Sequence, residues 1–225
     1  TPPQTCAGIA MDFTQALGIL QARTTSKTAE SSECMDCAVD IGDAVPPPLT
    51  PSTTALDALS LGELLRLLLA HQEERVGVYR RFEEGFASFL QFAEAAGYEA
   101  LTKATTAKFS EVSQSINSIE QQLRAREGAA AALAPTVRRL QDLEKEKLTL
   151  TAQQHILRHG LVVDALRVRA AAETGEDVAD KEARANRMRA EEEADISEHL
   201  GRLREELNEL LEEVRCELAE ADEDA

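Results

Sequence analysis

The chain has 225 residues, 43% of them hydrophobic and only 4% aromatic, with no Trp, 11 Gly and a formal net charge of −17. Scarce Gly excludes Gly-rich phosphate loops and tightly turned all-β folds, whereas abundant Leu, Ala, Glu and Arg favour helix. Residues 1–55 carry about −4, 56–127 about −3, 128–170 about +3 and 171–225 about −13, so the acidic tail repels phosphate and anionic lipid and disfavours direct nucleic-acid binding.

Residues 1–55 are rich in Thr, Ser, Ala and Pro and close on Pro46-Pro47-Pro48 and Pro51. Consecutive prolines lack backbone donors and hold the chain extended. This predicts a disordered arm, with one short helix around residues 12–22. There Phe13, Leu17 and Leu20 form a small apolar face suited to docking on a partner or on the body. Cys34 and Cys37 have the spacing of half a zinc knuckle or a redox pair. No second Cys pair or nearby His completes a tetrahedral site, so two cysteines in an arm is the reading. With Cys6 and Cys216 the cysteines are too sparse for a disulfide scaffold, which fits a reduced, intracellular protein. No apolar run approaches the ~20 residues of a membrane span; the densest, Leu64 to Leu69, is broken by Arg66.

Ser60 and Glu63 have capping-box spacing, which predicts a helix running to about residue 96 with Gly97 as its stop. Its buried stripe is Leu61, Leu65, Leu68, Val76, Tyr79, Phe82, Phe86 and Phe89, and Gln72 and Arg75 fall on seam positions that can specify register. A second helix covers about 101–127 on Phe109, Val112, Ile116, Ile119 and Leu123. Gly128 and Pro135 bracket a break, with Pro135 in the first turn of a third helix over about 136–172. That helix carries Val137, Leu140, Leu143, Leu150, Leu157, Leu161 and Val168, with Gly160 as a weak point. Gly175 allows a turn. The last helix, to about 219, places Ile196, Leu200, Leu203, Leu207, Leu210 and Val214 at alternating four- and three-residue steps, ending one residue out of step at Leu218. Such a seam needs a partner helix, so these residues are the candidate partner-binding set.

His155 and His159 stand one helical turn apart, but Ile156 occupies the place where a metalloprotease needs Glu. Two surface or half-buried histidines is the better account. The carboxylate pairs Glu73-Glu74 and Glu83-Glu84 and the run Glu191 to Glu193 read as solvated faces, because acid–base work needs a shaped pocket. The chain has no Gly-x-Ser-x-Gly elbow, phosphate loop or dinucleotide fingerprint. The expectation is no enzyme, no cofactor and no metal. The basic stretch with Arg138, Arg139, Lys145, Lys147, Arg158, Arg167 and Arg169 is diluted by Asp142, Glu144 and Glu146, and suits pairing with the acidic last helix better than phosphate.

Two stretches, Gln72 to Phe82 (QEERVGVYRRF) and Leu140 to Ala152 (LQDLEKEKLTLTA), with the helix of Phe109, Ile116, Ile119 and Glu120 between them, resemble the Required-for-excision-1-B family of DNA repair. The likeness covers roughly residues 60–160. It implies a small eukaryotic, non-enzymatic helical protein linked to nucleotide excision repair, nuclear in location, and carries over no catalytic residue. An acidic chain in that setting would work through protein partners.

The sequence thus predicts an all-α protein: an elongated helical bundle with a coiled-coil C-terminal arm and a disordered N-terminal segment. Its divisions are an arm at 1–55, a bundle body at 56–172, and an acidic coiled-coil arm and tail at 173–225. Function is expected to be adaptor-like helix–helix association with protein partners, as a homo- or hetero-oligomer or an assembly subunit, without membrane contact. The rival readings are a structural component of a cytoskeletal, ciliary or other large assembly, and a nucleic-acid binder through residues 136–169.

Overall fold

In the computed structural model, which describes residues 56–93, 95–174 and 179–223, Ser60 opens the first helix as its spacing predicts. The Ser60 hydroxyl accepts from the Glu63 N–H at 3.2 Å, and the Glu63 carboxylate accepts from the Ser60 N–H at 2.7 Å. Two otherwise orphaned donors are thereby satisfied. Helix α1 spans Leu61–Phe92 and stops on Ala93, whose φ of 57° is left-handed and whose N–H bonds the Phe89 carbonyl at 2.8 Å. The stop falls before Gly97, which lies inside α2 (Ala95–Arg124). The early reversal lets Tyr98 turn inward and join Phe82, Phe86 and Phe89, with ring centroids 4.9–6.0 Å away.

Gly128, at φ +69°, turns the chain into α3 (Ala129–Thr174). Pro135 was expected in a first turn but lies inside this helix. It is exposed, so water can serve the backbone carbonyl that its missing N–H leaves free. The last helix, α4, spans Ala179–Glu223 and so takes in much of the polar stretch before the seam. The arm at 1–55, with Cys6, Cys34 and Cys37, and Gly175 lie outside the described residues.

The helices pack in chain order, each antiparallel to the next. Arg75 meets Ser113 between α1 and α2, Gln141 meets Asn117 between α2 and α3, and between α3 and α4 Arg139 meets Glu206 while Arg158 meets Glu193. These last pairs set cationic α3 against anionic α4, as the charge pattern predicts. Helices α1 and α2 approach closely at Gly85, where a Cβ would stand 1.9 Å from a methyl of Leu101. Helix α4 closes the ring against α1 at one end, where Arg66 bonds Asp222 at 2.5 Å. All described regular structure is helical, and the fold is an all-α bundle.

Two apolar clusters fill it. The larger is aliphatic: Leu64, Leu65 and Leu68 of α1, Val112, Ile116, Ile119 and Leu123 of α2, Val137, Leu140 and Leu143 of α3, and Leu203, Leu207 and Val214 of α4. The smaller is aromatic and gathers Phe82, Phe86, Phe89 and Tyr98 with Ala152. The expected body and arm, divided at 173, therefore share one core. Between the clusters lies a polar belt at the seam positions of Gln72 and Arg75, both buried. Arg75 donates to Ser113 Oγ at 2.8 Å and to Gln141, and Gln141 in turn donates to Asn117 at 3.0 Å. A polar layer whose hydrogen bonds form only in one alignment fixes register at some cost in stability.

Candidate partner-binding groove

The residues singled out for partner binding fall into two groups. Leu203, Leu207 and Val214 belong to the aliphatic core, and Leu210 and Leu218 are half-buried against it. The seam thus finds its partner helices within the same chain, chiefly α3. Ile196 is half-buried further along α4. Leu200 and Leu207, however, also form one wall of an open groove of about 960 Å³ between α1 and α4, floored by α3.

The groove lies where α4 parts from α1 beyond their contact near Gly62 and Asp222. Its rims are apolar: Leu69 and Val76 on α1, and Leu200, Leu207 and Leu211 on α4. Val76, read from sequence as core, is 53% exposed here, because the seam of α1 passes through Arg75 and Val78 instead. The stripe put all apolar positions of α1 on one face; the polar belt displaces Val76 onto the rim.

The centre of the groove is charged. Lys147 lies over the Tyr79 ring, 4.0 Å from its centroid, and is 3.4 Å from Glu144. Burial lowers its pKa against the pull of Glu144, and Arg75 and Arg204 push it further down. Arg204 donates to the Leu200 carbonyl at 3.2 Å and has no carboxylate partner among the described residues. The groove lining carries five cations (Arg66, Lys147, Arg158, Arg204 and Arg215) against three carboxylates (Glu73, Glu83 and Glu144), in a chain of net charge −17. Gln72 Nε2 and Arg75 Nη1, both buried, have no hydrogen-bond partner among the described residues. Buried donors left open cost free energy unless an acceptor reaches them.

The two histidines are more buried than expected. His155 is 0% exposed, stacks on Phe86 with centroids 3.8 Å apart, and bonds both Tyr98 and Glu83. The geometry fits Nε2–H donating to Glu83 at 3.0 Å and Nδ1 accepting from the Tyr98 hydroxyl at 2.9 Å. Burial depresses the His155 pKa, while the hydrogen bond from His155 lowers that of Glu83, a pattern of neutral imidazole against carboxylate. His159 is also buried, 5.3 Å from the Phe89 ring. No group of His, Cys, Asp and Glu among the described residues is arranged to hold a metal ion.

Residues 63–158, from the first turn of α1 into the second half of α3, match the family model described as DNA repair REX1-B, which supports the resemblance read from the sequence and a link to DNA repair. No curated protein and no solved structure matches. The Glu83, Lys147 and Val76 positions lie within the matched stretch, whereas Leu200, Arg204 and Leu211 on α4 lie beyond it. No helix among the described residues is long and apolar enough to cross a membrane.

Proposed function

We propose that this protein is a non-enzymatic α-helical adaptor of DNA repair, working in the nucleus through protein–protein association. The observation that carries the reading is the groove between α1 and α4, where apolar side chains and incompletely partnered donors line a surface open to solvent. Such surfaces gain free energy by taking up a complementary element. The family match supplies the setting, and the net charge of −17 favours protein over nucleic acid as the thing bound.

Proximity labelling in cells tests the proposal, with the full chain fused to a labelling enzyme before and after ultraviolet damage. The expected result is a reproducible set of DNA-repair proteins enriched over the free labelling enzyme. A labelled set indistinguishable from that control, in both conditions, would contradict the adaptor reading.

A further inference from the structure

We infer that the groove between α1 and α4 receives an acidic amphipathic helix from another protein, with leucine-class side chains against Leu69, Val76, Leu200 and Leu211 and a carboxylate at Arg204, Lys147 and Gln72. The inference rests on the adaptor reading and adds the chemistry of the partner.

Dimensions set the first constraint. On α1 the groove runs from Arg66 to Glu83, and on α4 from Arg215 to Ser197. At ~1.5 Å per residue this is roughly 26 Å, room for four to five helical turns. Apolar rims on both sides match the apolar stripe of a helix laid lengthwise, which anchors at i, i+4 and i+7. A sugar–phosphate backbone would find no use for them.

Charge sets the second. Arg204 extends from the α4 wall without a carboxylate partner among the described residues, Lys147 rises from the floor, and Gln72 offers a buried N–H with no acceptor. A carboxylate entering the groove would find the Arg204 guanidinium as a charge-assisted donor, with Lys147, paired to Glu144, adding to the positive field of the floor. The chain's own apolar stretch over residues 12–22 matches less well, because its one acidic side chain, Asp12, precedes Phe13, Leu17 and Leu20 instead of lying between them. The occupant is therefore a separate polypeptide.

A displayed library of helical peptides tests this. Leucines are fixed at i, i+4 and i+7, the remaining positions are randomised, selection is on the full chain, and affinities are read by fluorescence polarisation. The expected winners carry Asp or Glu between the leucines. Arg204→Glu is expected to weaken them by about tenfold or more, and a peptide with Lys at the acidic position is expected to recover binding to that variant. Val76→Lys, a change at an exposed rim position, should weaken them too, with helix content and melting temperature of both variants like those of the parent. Neutral or basic winners, or affinities indifferent to both substitutions, would overturn the inference. So would Arg204-dependent binding of an oligonucleotide in place of the peptides, or cross-linking of residues 12–22 into the groove. Repair partners that persist in proximity labelling with Arg204→Glu would remove this site alone; loss of all partners from the parent chain would remove the adaptor reading itself.

Discussion

His155 shows how much a single side chain can hold together. It is enclosed by Phe82 and Phe86, bonded to Tyr98 on one side and to Glu83 on the other, with Arg158 also near Glu83 at 3.7 Å. Because burial lowers its pKa, the folded state resists taking up the proton that the unfolded chain accepts near pH 6.5. The unfolded state then binds more protons, and stability falls as pH drops through about 6.5 toward the depressed folded value. His159, lowered by burial as well, adds to the same trend. Thermal melts should therefore show a falling melting temperature between about pH 7.5 and 5.5, with a shallower slope in His155→Gln, where the contribution of His155 is gone and that of His159 remains. A slope unchanged by the substitution would show that His155 is not the buried neutral group described.

At the scale of elements, the leucine seam of α4 turns out to be an internal fastening. Leu203 and Leu207 are each 4% exposed and share a core with Leu64 and Leu140. Leu203→Lys should therefore destabilise the whole chain, by at least about 3 kcal/mol in urea unfolding, since it places an unpaired charge in that core. A variant that keeps its stability and loses only an association would place the seam on the outside instead.

The four helices and most of their buried positions could be read from periodicity, because apolar residues at three- and four-residue steps leave few alternatives. Phe109, Val112, Ile116, Ile119 and Leu123 are all buried as the spacing predicts. The capping box at Ser60 marked the start of α1 to the residue. Boundaries set by tertiary contacts were not legible. Ala93 ends α1 in a left-handed conformation that nothing local announces, and Pro135 is tolerated because its lost hydrogen bond faces water. The groove was legible only in part. Leu200 and Leu207 were singled out by the seam, but Leu69, Val76 and Leu211 look like any core leucine or valine until the divergence of α1 and α4 is known. Gln72 and Arg75 on seam positions were the one local sign of the polar centre.

At the scale of the whole molecule, the uneven charge becomes a design. Cationic α3 lies against anionic α4 through Arg139–Glu206 and Arg158–Glu193, which holds the bundle closed along that side. Where α4 parts from α1, Lys147 and Arg204 are left facing the groove, a positive site within an acidic protein. Such local fields steer an oppositely charged partner and discourage the wrong one. Away from the groove, Phe92, Val162 and Leu166 are exposed, with Arg167 and Arg189 paired to Asp164 beside them.

The most direct measurement of the central claim is photo-cross-linking in cells from a benzophenone side chain placed at Val76, on the open rim of the groove. The account expects an adduct with a second polypeptide, mapped by mass spectrometry to an acidic amphipathic helix, and expects it to fade when Arg204→Glu is added. Adducts confined to the protein's own chain, or a cross-linked partner unaffected by Arg204→Glu, would contradict it.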